Sequence, residues 1–92
     1  MPQAIEEPKT QETVELQRPW NVVLFNDDVH TFDEVILQLQ KATGCSLERA
    51  VQITYAAHTE GQAVAYGGCL ERCEIVAAKL QEIRLRVTIE RG

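Results

Sequence analysis

The chain has 92 residues, of which 45% are hydrophobic and 25% are charged, and its formal net charge at pH 7 is −5. This length allows one small domain and leaves no room for a second. Because the chain is acidic, it lacks the clustered lysines and arginines that a nucleic-acid-binding surface requires, so we expect no nucleic-acid partner.

The chain contains three cysteines, an odd number that fits a reducing compartment better than a disulfide framework. Its longest uncharged apolar stretch is far shorter than a membrane span, and its first residues lack the basic and apolar regions of a secretory signal. We therefore expect no membrane association and a location in the cytoplasm or in an organelle matrix.

Residues 1–18 differ in composition from the rest of the chain. They are rich in Glu, Gln, Pro and Thr, and their few apolar residues follow no sustained period. Such a segment buries too little apolar surface to offset the entropy of ordering it. The sequence predicts a flexible N-terminal extension over residues 1–18 and one folded domain over residues 19–92.

The first predicted element of the folded part is a short strand. An apolar run, Trp20–Phe25, indicates the strand. Thr31 and Glu34 then form a capping-box pattern, in which the Thr hydroxyl and the Glu carboxylate satisfy free amides at the start of a helix. The polar triplet Asn26–Asp28 lies between these signals, so we expect it in a tight strand-to-helix loop.

Two helices are predicted next. The first runs from about residue 32 to residue 43 and stops at Gly44, and the second is capped by Ser46 and ends at Gly61. The apolar residues of the second helix recur on one side, which we expect to face the core: Leu47, Ala50, Val51, Thr54 and Ala57.

The remaining sequence predicts a weak strand at residues 63–66, a third helix at residues 70–81 and a final strand at residues 85–90 whose residues alternate between apolar and polar. The third helix is expected to bury Cys73, Val76, Ala77 and Leu80. The order β-α-α-β-α-β predicts an α+β two-layer sandwich, with three helices on one face of a three-stranded antiparallel sheet.

The polar triplet and His58 are candidate functional residues. On its own the triplet is typical of a turn, because Asn and Asp bond their own backbone, and His58 is typical of a favourable partner of the helix dipole. In the predicted fold, however, the loop at Asn26 approaches the end of the second helix, where His58 lies. Their convergence beside apolar residues predicts a small pocket with a polar rim.

These residues also carry a resemblance to a known family. N-D-D at residues 26–28, A-H-T-E-G-Q-A-V at residues 57–64 and V-T-I-E at residues 87–90 resemble the ClpS family of N-degron adaptors, in the family's order and over residues 19–90. The N-D-D and H-x-E-G-x-A motifs, about 30 residues apart, are rarely met together by chance. Members of this family bind a protein N-terminus with a bulky hydrophobic first residue and deliver it to a Clp-type AAA+ unfoldase with ClpP. They need a flexible N-terminal extension for delivery.

The resemblance implies a monomeric adaptor of the N-end rule, without catalytic chemistry, cofactor or metal. Its implied partners are N-degron substrates and the N-domain of a ClpA- or ClpC-type unfoldase. Asn26, Asp27 and His58 would accept hydrogen bonds from the substrate α-ammonium. The implied hydrophobic side-chain pocket consists of Asp28, through its backbone, with His30, Phe32, Val35, Thr54, Ala57 and Leu85.

The chain departs from the family pattern in the side-chain pocket. Where the family commonly has Thr-Pro-Met after the acidic pair, this chain has His30, Thr31 and Phe32, and where it commonly has Met on the second helix, this chain has Thr54. A small polar Thr54 widens or wets a pocket, whereas a bulky Phe32 narrows it. The preferred first residue among Leu, Phe, Tyr and Trp is therefore left open.

Other classes remain open from the residues alone. In a small enzyme, His58 would be a general base oriented by Asp27 or Asp28, but no Ser or Cys nucleophile lies in a recognised motif. A small regulatory α+β domain without protease delivery would bind an effector, but the chain has no Gly-rich phosphate loop. Cys69 and Cys73 have a spacing found in metal sites, although small buried core residues are the more ordinary interpretation.

Overall fold

The computed structural model of the chain describes residues 19–92. Its elements, in chain order, are β1 (Trp20–Phe25), α1 (Phe32–Thr43), α2 (Leu47–Glu60), β2 (Gln62–Gly68), α3 (Leu70–Gln81) and β3 (Val87–Arg91). The predicted order of elements and the α+β fold class are confirmed. The predicted extension, residues 1–18, lies outside the described residues.

The sheet is built around its first strand. β1 is central in a three-stranded antiparallel sheet with the strand order β2-β1-β3. Val22 lies opposite Ile89 of β3, and the pairing with β2 is irregular between Val22 and Val23. Val22 and Leu24, which point to the same face of β1, belong to the core formed with the three helices. The predicted two-layer arrangement is confirmed.

The last strand begins two residues later than predicted. Arg84 adopts a left-handed backbone conformation with φ 66°, and the Leu85 N–H donates to the Leu80 carbonyl at 3.4 Å. Leu85 is thus buried at the end of the α3–β3 connection, and regular pairing with β1 starts at Val87. β2 is longer than predicted because β1 pairs with it along its whole length.

The predicted helix boundaries are confirmed by their caps. At the start of α1, Thr31 Oγ1 accepts from the Glu34 N–H at 3.1 Å, and the Thr31 N–H donates to Glu34 Oε1 at 2.8 Å. Ser46 caps α2 through its side chain. Gly44 and Gly61 end α1 and α2 with φ 74° and 90°, in the left-handed region that favours glycine.

The core lies between the sheet and the helices. Its largest fully buried side chains are Leu24, Leu39, Leu80, Val22 and Cys73, and each Leu or Val contributes about 1.5–3 kcal/mol by burial. The prediction for α2 is wrong at Leu47, which is 59% exposed at the first position of the helix, and it missed Ile53, which is buried. None of the three helices in residues 19–92 has the length and apolar content needed to cross a bilayer.

Candidate functional site

Two backbone hydrogen bonds join three separate segments at the end of β1. The Asn26 N–H donates to the Gly61 carbonyl at 2.9 Å, which holds the loop after β1 against the C-terminal end of α2. The Phe25 N–H donates to the Arg86 carbonyl at 3.0 Å, which holds the same strand end against the α3–β3 connection. A site at this junction draws residues from three distant parts of the chain.

A cavity that is open to solvent lies at this junction. Its lining consists of Leu24, Phe25, Asn26, Asp27, His30, Phe32, Val35, Thr54, Ala57, His58 and Leu85. The fold therefore brings together every residue predicted for the amine site and for the side-chain pocket except Asp28. The roles predicted for these residues stay predictions, but their common location does not depend on a ligand.

Asp28 is the predicted residue that the cavity leaves out. It is exposed and lies in the bend after Asp27, where the chain turns toward α1. Conversely, Leu24 and Phe25 line the cavity although neither was predicted to do so. Their position in the sequence could have indicated this, since Leu24 and Phe25 are the last two residues of β1 and come directly before Asn26.

The Asp27 carboxylate shapes the loop. Asp27 Oδ1 accepts from the N–H groups of Val29 at 2.6 Å and His30 at 2.9 Å, and Oδ2 accepts from His30 Nδ1 at 2.7 Å. Partial burial raises the pKa of Asp27, but these hydrogen bonds outweigh burial and hold the pKa below its ordinary value of 3.8. Asp27 is therefore negatively charged at neutral pH, as an ammonium ligand requires.

His30 is tied to Asp27 in addition to lining the cavity. The hydrogen bond to Asp27 raises the pKa of His30 above its ordinary value of 6.5, and partial desolvation opposes this increase. A backbone hydrogen bond with Ile83 and the nearby charge of Glu34 raise the pKa further. The resemblance implied that His30 lines the side-chain pocket. The geometry adds a hydrogen bond from His30 to Asp27, one of the residues predicted to bind the amine.

Phe32 connects the start of α1 to the end of α2. Its ring lies edge-on to His58, with centroids 5.2 Å apart and an interplanar angle of 73°. It also lies edge-on to Tyr55, with centroids 5.2 Å apart and an angle of 87°. Both arrangements are favourable for aromatic rings. They place an aromatic surface beside the exposed imidazole of His58.

The rest of the cavity is apolar. Val35, Ala57 and Leu85 are 7%, 4% and 2% exposed. Thr54 is also buried, and its Oγ1 donates to the Ala50 carbonyl at 2.8 Å within α2. Since this hydroxyl is already satisfied, Thr54 adds little polarity to the cavity. The combined lining provides hydrogen-bond acceptors at Asn26 and Asp27 next to an apolar volume.

The spacing of Cys69 and Cys73 raised the question of a metal site. Within the described part of the chain, no group of three His, Cys, Asp or Glu side chains is placed to hold a metal ion. Cys73 is fully buried, and its Sγ donates to the Trp20 carbonyl at 3.3 Å. Cys69 is exposed, in contrast to the buried position expected for both.

The fold is a small α+β domain with a cavity at the end of its central strand, and comparison with known proteins identifies its family. The family model described as "ATP-dependent Clp protease adaptor protein ClpS" matches residues 15–88. The chain is 33% identical over 88 residues to the ATP-dependent Clp protease adapter protein ClpS of Rhodococcus opacus, a match that covers 91% of this chain and 79% of that protein. The chain belongs to the ClpS family.

The same sequence pattern occurs within much larger proteins. The chain is 35% identical over 67 residues to the human E3 ubiquitin-protein ligase UBR2. That match covers 73% of this chain but only 4% of the ligase. The similarity is thus to one small region of the ligase, and the ligase activity of the whole protein is not transferred.

A solved structure shares the fold. The structure of Agrobacterium tumefaciens ClpS2 bound to L-phenylalaninamide matches with a TM-score of 0.75, covering 82% of this chain and 98% of that chain. The two sequences are 22% identical. This similarity supports the β-α-α-β-α-β architecture independently of the sequence motifs.

Proposed function

We propose that this protein is an N-degron adaptor. It binds the free α-ammonium and the bulky hydrophobic first residue of a substrate protein, and it delivers that substrate to a ClpA- or ClpC-type AAA+ unfoldase working with ClpP. The observation that carries the proposal is the single cavity that contains Asn26, Asp27 and His58 beside an apolar volume. The structural relative's ligand, L-phenylalaninamide, supports it, because that molecule combines an α-amine with an apolar side chain.

The acceptors suit an α-ammonium, a compact cation with three N–H donors. Asn26 and Asp27 supply side-chain oxygens, and neutral His58 supplies a ring nitrogen. Two or three charge-assisted bonds at about 1.5–3 kcal/mol each, with a buried Leu or Phe side chain at about 1.5–3 kcal/mol, give a gross gain of about 5–12 kcal/mol. After the cost of association, we expect a dissociation constant on the order of micromolar or lower.

The proposal distinguishes free from blocked N-termini. Acetylation removes the positive charge and two of the three donors, so Asp27 would lose solvent without gaining a partner. A blocked peptide is therefore expected to bind far more weakly than the free peptide of the same sequence.

Delivery involves partners but no covalent chemistry. We propose that the protein acts as a monomeric, cytoplasmic adaptor that presents its substrate to the N-domain of the unfoldase, without a cofactor, nucleic acid or membrane. The family model that matches the chain describes adaptors of the ATP-dependent Clp protease, which supports this assignment. Residues 1–18 are the segment to which we assign delivery.

Binding is tested first by fluorescence anisotropy with three ten-residue peptides that differ only at the N-terminus. They begin with free Leu, acetylated Leu and free Gly. We expect saturable binding of the free Leu peptide and at least tenfold weaker binding of the other two, because one lacks the charge and the other lacks the side chain. Equal binding of the free and acetylated Leu peptides would refute the amine-receptor proposal.

Delivery is tested separately with a Leu-first reporter protein and purified unfoldase with ClpP. The full chain should accelerate degradation, and a chain lacking residues 1–18 should bind the reporter without accelerating it. Equal acceleration by both chains would contradict the assignment of delivery to residues 1–18.

A further inference from the structure

We propose, on the basis of the proposed function, that His30 is a positioning residue whose protonated ring competes with the substrate ammonium for Asp27. Peptide binding at this site then displaces a proton, and acid weakens it.

The proposal starts from the hydrogen bonds of one carboxylate. Asp27 Oδ1 is occupied by the backbone N–H groups of Val29 and His30 at 2.6 and 2.9 Å. Oδ2 accepts from His30 Nδ1 at 2.7 Å. Among residues 19–92, this ring is the only side chain that donates to Asp27. A substrate ammonium bound to Asp27 must therefore share Oδ2 with the ring or displace it.

The surroundings of His30 favour its charged form. A carboxylate only accepts, so Nδ1 must carry a proton to make the 2.7 Å contact. Asp27, and to a smaller extent the Ile83 backbone, raise the pKa of His30. The raised pKa keeps His30 charged to a higher pH than an ordinary histidine, beside a carboxylate that is already ionised.

Other charges near the ring come from three elements. Glu34 in the first turn of α1 raises the pKa of His30. His58 at the end of α2 lines the same cavity. The charged residues next to Ile83 in the sequence are Glu82, Arg84 and Arg86, and none of them is among the causes of the His30 shift. Asp28 follows Asp27 in the same loop. Because His58 places a second imidazole in the lining of the same cavity, the test must separate the two rings.

Competition follows from charge and from geometry. An imidazolium and an ammonium that share one carboxylate oxygen repel each other, so each lowers the affinity of the other for the site. By linkage, a drop of one-half to one unit in the pKa of His30 on peptide binding corresponds to about three- to tenfold weaker binding at low pH. The pKa of Asp27 is below 3.8, so this carboxylate stays charged between pH 5.5 and 7.5, the range of the test below.

The test measures dissociation constants for the free Leu peptide at pH 5.5, 6.5 and 7.5 with the full chain and with His30→Gln. Glutamine keeps a neutral donor near Asp27 but cannot be protonated. We expect the affinity of His30→Gln relative to the wild type to be about three- to tenfold higher at pH 5.5 than at pH 7.5. Because the same peptide is used with both proteins, any protonation change of its own α-amine affects both dissociation constants equally.

Two controls make the result specific to His30. In a His58→Gln background, adding His30→Gln should still tighten binding at pH 5.5, because the effect does not depend on the second imidazole. The imidazole resonances of His30, followed by NMR, should titrate at lower pH in the presence of saturating peptide. Thermal unfolding at pH 7.5 checks that each variant is folded, and His30→Asn replaces His30→Gln if the latter is not.

Parallel pH profiles of the wild type and His30→Gln would overturn the inference while leaving the amine receptor intact. A constant loss of affinity in His30→Gln at every pH would also overturn it, since that pattern indicates a purely structural contact. Absence of saturable binding by the folded wild type at all three pH values would refute the proposed function and the inference together.

Discussion

Replacing Asp27 with asparagine separates the two tasks of this side chain, because the amide keeps one acceptor oxygen and loses the charge. That oxygen can still accept from the N–H groups of Val29 and His30, now 2.6 and 2.9 Å from Oδ1. The loop should therefore persist. The amide nitrogen replaces Oδ2 and offers an ammonium a donor instead of an acceptor. Losing one charge-assisted bond costs about 1.5–3 kcal/mol, or about a 10- to 150-fold increase in the dissociation constant.

The assay is fluorescence anisotropy of the free Leu peptide at pH 7.5, with thermal unfolding to show that the variant folds. Asp28→Asn is the matched control, since it removes the same charge one residue away and outside the cavity lining. We expect the control to bind within about twofold of the wild type. Affinity of Asp27→Asn within twofold of the wild type would refute a direct charge contact. Equal losses in both variants would instead indicate the general potential of an acidic loop.

Three further predictions concern stability and selectivity. Gly61→Ala should reduce the free energy of unfolding in urea by about 1–2 kcal/mol, because φ is 90° at this position and an added Cβ meets no atom within 4 Å; an unchanged value would show that the dihedral carries no strain. Thr54→Met should lower the affinity for a Trp-first peptide relative to a Leu-first peptide by about fivefold in anisotropy, since it adds side-chain volume to the cavity lining; an unchanged ratio would remove Thr54 from the selectivity determinants. The Asp27–His30 pair should stabilise the fold most between pH 3.8 and 6.5. The pKa of Asp27 is lowered in the folded state, so its contribution to stability is lost as the pH falls through that lowered pKa. The pKa of His30 is raised in the folded state, so its contribution is fully present below pH 6.5 and is lost as the pH rises through that raised pKa. Melting temperatures should therefore show a larger destabilisation by His30→Gln at pH 5.5 than at pH 8.5, and the reverse order would contradict this assignment.

Local signals made most of the fold predictable from the sequence. Helix ends are set by neighbouring residues, and the capping residues Thr31 and Ser46 with the stops Gly44 and Gly61 acted as their types predict. The start of β3 was missed because Arg84 has φ 66°, and a non-glycine residue in that conformation carries no sequence signal. The error displaced the strand start by two residues without changing the topology.

The candidate site was predictable in its membership but not in its internal contacts. The resemblance to the ClpS family implied Asn26, Asp27 and His58, and the fold places them around one cavity. The bond between His30 and Asp27 depends on the loop conformation and on one side-chain rotamer, which periodicity does not encode. The position of Asp28 outside the lining likewise depends on the loop conformation.

The geometry separates the residues proposed to bind the amine from those proposed to bind the first side chain. The loop that carries the acceptors is fixed by backbone bonds from Asn26 to Gly61 and from Phe25 to Arg86, which do not require particular side chains at the other lining positions. Phe32 and Thr54, where the chain departs from the family pattern, contribute side chains to the lining and take no part in those bonds. Substitutions at these two positions should therefore change the ratio of affinities among first residues. Asp27→Asn should instead weaken peptides with different first residues by a common factor, because every free N-terminus presents the same ammonium.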